Sequence, residues 1–588
     1  MDLVSQLEKI ESSGLIRVAQ RDPELAYIFR HALVQDAAYE SLLRADRRSL
    51  HAAVGATLEN LYAGRLDEIA GTLAMHFERA EERGKAIRYL VRAGESATCV
   101  YALNEAIEFF RHALELIPES YPQSDLIHLY NQYGHVLELA GCFDDAIKLY
   151  DQMRTEALRH QNPQMELLAL LARAIIHSTP SPLQDTDLAQ ELSARALTLA
   201  VQLGDREAES RTYWILMLAL LFDGQVDDAV VYGEKALEIA SQINNPERLA
   251  FTLNDLAHCY STAGQRQKAY TVNLEARQLW KTLGNTHMLV DNLNTCAENL
   301  FMLGKLDEAD SIVTEGYTTA CSIQNVWAQV YSLMIISLIS LARGDISRVI
   351  EASDAFFALD PPQSYMLTQI ILRSTLGCLY LDLGQPEKAF QVVRKDYQIP
   401  AGLKPTLHCP MLACQARLEL RLGNLAEAEK LLDQALVYYN PENFLAFSPF
   451  YVALAQYEIY TAQGQHLKAL ESLDQYIERL YRMEIFCSLP EHLFYKAQVL
   501  LTLNRKEEAL TLLKEITSSW AHLNFHQIMW KVYALMSTLQ LAFGQSADAK
   551  TSRQIAREHF DFLLTNTPAD LRPSILALPD AKILLEGH

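Results

Sequence analysis

Apolar residues recur along most of this chain three and four apart, the spacing of one helix face, and the helical runs are broken at a constant interval. A glycine followed five residues later by alanine appears as Gly141/Ala146, Gly224/Ala229, Gly264/Ala269, Gly304/Ala309, Gly384/Ala389, Gly423/Ala428, Gly464/Ala469 and Gly544/Ala549. Gly344 with Val349 and Asn504 with Ala509 fill the gaps in this series. Asn is the best replacement for Gly where a backbone turns left-handed. Successive turn positions from Gly224 to Gly544 stand 39 to 41 residues apart.

Each period predicts two helices. In the stretch Leu249 to Leu279, Leu253, Leu256, Ala257 and Tyr260 share one face. Gly264 ends that helix, and a second opens at about Gln267. The second helices carry alanines seven apart: Ala106/Ala113, Ala189/Ala196, Ala229/Ala236, Ala269/Ala276, Ala428/Ala435 and Ala549/Ala556. Small residues two turns apart let such a helix approach its partner closely. The member at Ala189 lacks its glycine; the preceding loop from Ser178 to Asp185 carries two prolines instead. Ile399 to Pro410, with Pro400, Pro405 and Pro410, is a second interruption. Thr565 to His588 contains Pro568, Pro573 and Pro579 and reads as a short cap or tail.

The first eighty residues do not follow the period. Gly14 to Val18 predicts a strand, Arg21 to Pro23 a turn, and Tyr27 to Phe29 a returning strand. A helix is expected from about His31, with Leu33, Val34, Ala37, Ala38, Leu42 and Leu43 on its apolar face, and another from about Ser49 to Tyr62.

Composition and charge narrow the function. The 588 residues carry 51 Lys+Arg against 73 Asp+Glu, a formal charge of −22. That excess of acid argues against nucleic acid and against an anionic membrane surface as partners. Arg44, Arg47 and Arg48 form a small basic cluster, but the first 118 residues are still net −4, a poor match for DNA. No stretch reaches about 18 uninterrupted apolar residues, and the N-terminus lacks a signal-peptide layout. The nine cysteines form no CxxC and are expected to be reduced core residues of a cytoplasmic protein. His408, Cys409 and Cys414 fit no standard zinc spacing, so no metal site is expected.

No GxxxxGK[ST] occurs: Gly84-Lys85 has Arg79, and Gly304-Lys305 has Asn299, where the first glycine would stand. HExxH, GxSxG and a GxGxxG after a strand are also absent, so no catalytic residues are assigned and an enzyme is not expected.

The repeat pattern resembles the tetratricopeptide (TPR) motif, best seen as Leu376, Gly377, Tyr380, Gly384, Ala389 and as Leu256, Ala257, Tyr260, Gly264, Ala269, Ala276. The motif's minimal repeat is about 34 residues, so these periods are longer, like the hairpin arrays of MalT-type regulators. The string Tyr27 to Leu43, then Arg47-Arg48-Ser49-Leu50-His51, resembles the winged-helix end of STAND-class signalling ATPases. It is most similar to bacterial proteins joining a nucleotide cyclase or DNA-binding domain, an ATPase and a TPR array. The join through Met75 to Ala80 and Lys85 to Ala93 also looks like that family.

The resemblance implies an all-α chain: a right-handed superhelix of about twelve TPR-like hairpins, preceded by a small winged-helix fragment. It divides the chain into a winged-helix region (1–62), a helical connector (63–85), the array (86–564) and a cap or tail (565–588). It implies a non-catalytic arm for protein interaction and ligand sensing in signal transduction or transcription regulation. ATP or ADP would enter only with an ATPase domain that this chain lacks. His31 matches the family's nucleotide-sensing histidine, although Ala32 stands where relatives often have Asp. A His at a helix N-terminus suits a phosphate.

A protein or peptide partner is expected in the groove lined by first helices. Asn254 and Asn294 stand one period apart, with His258 and Glu298 one turn further along, and Asp291, Asn292 and Arg211 on the same face. Such amides suit an extended ligand backbone, donating and accepting at once. Trp214 and Trp280 are expected to pack. The competing expectation is a free-standing TPR adaptor with no nucleotide dependence.

Overall fold

The computed structural model describes residues 3–20, 26–100, 102–360, 365–395, 405–440 and 447–586. They fall into two compact units, Met1–Glu156 and Ala157–His588.

The smaller unit opens with helix α1 (Leu3–Ser12), which the sequence pattern does not announce. Strands β1 (Ile16–Gln20) and β2 (Ala26–Phe29) follow, antiparallel with Ile16 opposite Phe29. The turn expected at Arg21 to Pro23 lies outside the described residues. Helices α2 (Ala32–Glu40) and α3 (Arg44–Leu61) come next, α3 beginning five residues before the expected Ser49. The apolar face expected on α2 is left uncovered: α2 buries none of its residues, with Leu33 82% and the following Leu43 72% exposed. The unit's core sits further on, in α4 (Ala70–Arg79), α5 (Arg83–Cys99), α6 (Leu103–Glu115) and α7 (Gln123–Leu139), around Leu73, Phe77, Ala86, Phe110 and Leu129; α8 (Phe143–Arg159) follows and runs across the division between the units.

The larger unit is a run of helical hairpins. They are α9 (Pro163–Ser178) with α10 (Thr186–Leu203), α11 (Arg206–Asp223) with α12 (Val226–Gln242), α13 (Pro246–Thr262) with α14 (Arg266–Leu283), α15 (Thr286–Met302) with α16 (Leu306–Ser322), and α17 (Val326–Arg343) with α18 (Ile346–Ala358). After α19 (Met366–Asp382), the short α20 (Pro386–Phe390) runs into a π-helical turn at Gln391–Lys395. The run resumes as α21 (Cys409–Arg421) with α22 (Leu425–Tyr438), α23 (Ser448–Ala462) with α24 (His466–Arg482), α25 (Leu489–Thr502) with α26 (Lys506–Trp520), and α27 (His526–Ala542) with α28 (Ser546–Thr565). Two short helices, α29 (Arg572–Ala577) and α30 (Pro579–Glu586), end it and bury Leu571, Ile575, Ala581 and Leu584.

The local signals act as expected. Every turn glycine of the series is left-handed, from φ +67° at Gly384 to φ +86° at Gly224, and Asn504 takes the same conformation at φ +60°. Both members of all six alanine pairs are buried, none above 1% exposed. Helix α17 is the one described helix long and apolar enough to cross a membrane, and 67% of that stretch is buried inside the protein. The cysteines are only partly core residues: Cys99, Cys142 and Cys321 are exposed at helix ends or surfaces, and none of the nine is in a disulfide.

The larger unit also closes on itself, which no local pattern announces. Backbone N–H groups of Phe486 and Cys487 donate to the Met302 carbonyl at 2.7 and 3.3 Å. Arg266 Nε donates to the Met483 carbonyl at 2.8 Å, and Asn524 Nδ2 to Asp307 at 3.0 Å, each pair 217 residues apart. The Ser347 N–H donates to the Asn566 carbonyl at 2.8 Å. Three consecutive turn glycines seat on these later segments. A Cβ on Gly264 would stand 3.4 Å from Met483 Cα, on Gly304 3.3 Å from Phe486 Cβ, and on Gly344 3.1 Å from the Gln527 backbone nitrogen. Around Gly384, Gly423, Gly464 and Gly544 the same space is open.

This contrast gives a matched test. Gly344→Ala and Gly544→Ala both place an L-residue at a left-handed turn, costing about 1 kcal/mol. Only Gly344→Ala also forces apart two packed segments, adding about 1–3 kcal/mol. Urea unfolding should show Gly344→Ala as the more destabilised variant; equal midpoints would refute the seating.

Candidate functional site

Inside the larger unit, the first helices of consecutive hairpins turn equivalent residues toward a shared cavity of about 230 Å³. The forty-residue register puts Leu218, His258 and Glu298 in one row, and Asp291 and Tyr331 in another. Asp255, Arg266 and Trp327 complete the polar wall; Met334, Leu367, Ile371 and Phe447 supply apolar surface. Phe447 stands at φ +56°, a strained value for an aromatic residue, with its ring 6.3 Å from that of Phe301. A second cavity of about 80 Å³ shares Met302 and Phe447 with the first and carries Asp382 and Glu491.

The carboxylates define the first cavity's chemistry. Trp214 Nε1 donates to Asp255 at 2.7 Å. The Asn254 amide nitrogen donates to Asp291 at 2.7 Å and reaches Asp255 at 3.5 Å, so one NH₂ bridges both acids. Trp327 also bonds Asp291. Burial, followed by repulsion from Asp291, pushes the Asp255 carboxyl up to about 6; burial raises Asp291 as well. Thr295 donates its hydroxyl to the Asp291 carbonyl, so it accepts from His258 Nε2 at 3.1 Å. Tyr331 donates to Glu298 at 2.6 Å. Arg266 is pushed down to about 10 by burial.

The residues singled out from the sequence do not all meet at this cavity. His258 and Glu298 line the cavity. Asn254 and Asn294 are fully buried between helices, where their amides serve internal bonds. Asn254 also accepts from Asn292 at 3.1 Å; Asn294 donates to the Ala328 carbonyl at 3.2 Å and accepts from Ser332 at 2.7 Å. Arg211, on α11, is partly buried and is not part of the cavity wall; its charge acts on Arg248. His31 belongs to the smaller unit, exposed at the N-cap of α2 with no side-chain capping bond. Trp280 is fully buried, and Trp214 is a packed donor to Asp255. Among the described residues, no group of His, Cys, Asp or Glu is arranged to hold a metal ion. Sequence reasoning misses Asp255, Arg266, Trp327 and Tyr331. The forty-residue register was the available signal for Tyr331, which stands one period after Asp291.

The hairpins and their turn geometry define a mainly helical, TPR-like repeat protein, with one two-stranded ribbon among the described residues. No family model matches the chain. A 115-residue segment, 19% of the chain, is 32% identical to an uncharacterized protein of Rhizobium meliloti (strain 1021). The match covers 11% of that protein, so the chain spans about a tenth of the curated relative's length. Among solved structures, BtubC from P. vanneervenii is 20% identical with a TM-score of 0.31, over 38% of this chain and 89% of that one. A Rap protein complexed with Competence and Sporulation Factor is 15% identical with a TM-score of 0.40, over 66% and 99%. A signal transduction ATPase with numerous domains and a tetratricopeptide repeat sensor, from Pyrococcus horikoshii, is 14% identical with a TM-score of 0.41, over 77% and 61%. The hairpins themselves, not these likenesses, define the fold.

A carboxyl whose value is raised on folding binds more protons in the native state. Stability is therefore greatest below the unfolded value and falls as pH rises through about 6. Asp255→Asn should flatten this fall, changing the difference between pH 4.5 and pH 7.5 by about 1–3 kcal/mol. Denaturant unfolding of both proteins at the two pH values checks it; parallel pH profiles would refute the buried-acid assignment.

Proposed function

We propose that the chain is the non-catalytic, ligand-sensing and protein-interaction arm of a STAND-type signalling ATPase. In this reading the hairpins form a right-handed TPR superhelix of about twelve repeats (86–564), capped by 565–588. Residues 1–62 are a winged-helix remnant, and 63–85 connect the two. The observation that carries the reading is the apolar face on the segment with the STAND-like string. Leu33, Leu43, Leu50 and Leu61 are each more than half exposed there. Several large apolar side chains left exposed on neighbouring helices suit a surface on which another domain packs. The array supplies recognition through its enclosed cavity, while nucleotide chemistry belongs to a domain this chain lacks. His31, exposed at the start of α2, is then free to meet a bound ATP or ADP phosphate. Nine cysteines without a disulfide fit a reducing, cytoplasmic setting, and the charge of −22 disfavours nucleic acid and membrane as direct partners.

An antibody against the array decides between this reading and a free-standing TPR adaptor. On immunoblots of the native host it should detect a polypeptide clearly larger than 66.4 kDa. In that larger protein, His31→Ala should change nucleotide retention by about tenfold, the scale of a lost charge-assisted contact. A single band at the size of this chain would instead establish the adaptor.

A further inference from the structure

The larger unit's cavity holds charges of both signs without an ion-pair partner at bonding distance among the described residues, although His258 acts on both acids and Glu298 on Arg266 through space. Arg266 is 2% exposed. Its Nε donates to the Met483 carbonyl and its Nη1 to Ser261 Oγ, both at 2.8 Å. Among the described residues, Arg266 has no carboxylate partner at ion-pair distance, and its Nη2 has no hydrogen-bond partner. Glu298 contributes to its field, but that carboxylate already accepts from Tyr331. A buried guanidinium without an anion is unfavourable, and natural interiors rarely keep one. Elsewhere on the wall, Asp255 and Asp291 share the Asn254 amide and form no ion pair with a Lys or Arg among the described residues. The surface around these charges is aromatic and apolar, from Trp327, Tyr331, Met334 and Phe222.

The placement of the two charged groups along α13 points to a ligand charged at both ends. Ser261, which holds the guanidinium, lies six residues along α13 from Asp255, about 9 Å of helix rise. An extended peptide covers about 3.3–3.6 Å per residue. We infer that this cavity binds a peptide of about three residues, free at both ends, with its ammonium on Asp255 and Asp291 and its carboxylate on Arg266 Nη2. An amine alone would leave Arg266 without an anion; a carboxylate alone would leave the two acids repelling each other. This assignment rests on the array being a ligand-binding arm and names the chemistry of its ligand.

The test is equilibrium dialysis of the full chain against a randomised tripeptide library, read by mass spectrometry. The same library N-acetylated and the same library C-amidated are run in parallel. Members of the free library should concentrate at least threefold with the protein, and neither blocked library should. Asp291→Asn should abolish the concentration. Should that variant not fold, the blocked libraries still decide with the wild-type chain. Equal retention of free and blocked peptides, retention of amidated peptides alone (a plain cation site), or no retention would each overturn the inference. None of these outcomes bears on the size of the native polypeptide, so the arm reading stands or falls separately.

Discussion

The larger unit depends on three hairpin turns lying flush against segments that follow them by about 180 to 220 residues. A Cβ added to Gly264, Gly304 or Gly344 would stand at van der Waals distance or closer to Met483, Phe486 or Gln527. Glycine serves two ends there. It takes the left-handed backbone that stops a first helix, and it leaves no Cβ to hold the later segment away. The Met302 carbonyl then bonds the Phe486 and Cys487 N–H groups, satisfying polar groups of an otherwise open loop. Met302 lines both cavities, so the residue that anchors the closure also walls the space the closure encloses.

Two buried arginines show how differently the unit treats charge. Arg417 is fully buried and bonds Asp382 at 2.7 Å and Glu458 at 2.9 and 3.0 Å. Arg421 shares Glu458 at 2.7 Å. That cluster balances its own charge and ties α19, α21 and α23 together, the arrangement under which burying ions is tolerable. Arg266 is buried as deeply but is held by a carbonyl and a hydroxyl, neither of which carries compensating charge. The contrast lies between a structural ion network and a cation that, among the described residues, meets carboxylates only through space.

What the sequence made legible was local. The glycine register, the Asn504 substitution and the buried alanine pairs follow from helix termination and close helix packing, whose determinants lie within a few residues. The closure was not legible, because contacts 217 residues apart leave no periodic mark. The site was half legible. Periodicity placed Asn254 and His258 on neighbouring positions of one helix, but a helix face one turn wide contains both the cavity wall and the seam between helices. His258 fell on the wall and Asn254 in the seam. In the first sixty residues the apolar pattern announced helix α2 and its apolar face, but not that this face stays exposed. Periodicity identifies the face that wants covering, not whether the same polypeptide covers it.

The cavity and the closure are one construction because Arg266 belongs to both. Its Nε fixes the later segment through Met483, and its Nη1 is fixed by Ser261 at the end of α13. With two of its nitrogens held, the planar guanidinium has little freedom to turn. Its orientation, and hence the field inside the cavity, exists only while the segment around Met483 is in place. A ligand can shift a conformational equilibrium only by its differential affinity for the two states. Arg266 and the pair of acids line one cavity, and the bond to Met483 fixes the cation there, so a ligand that reads both charges together would favour the arrangement with that segment in place.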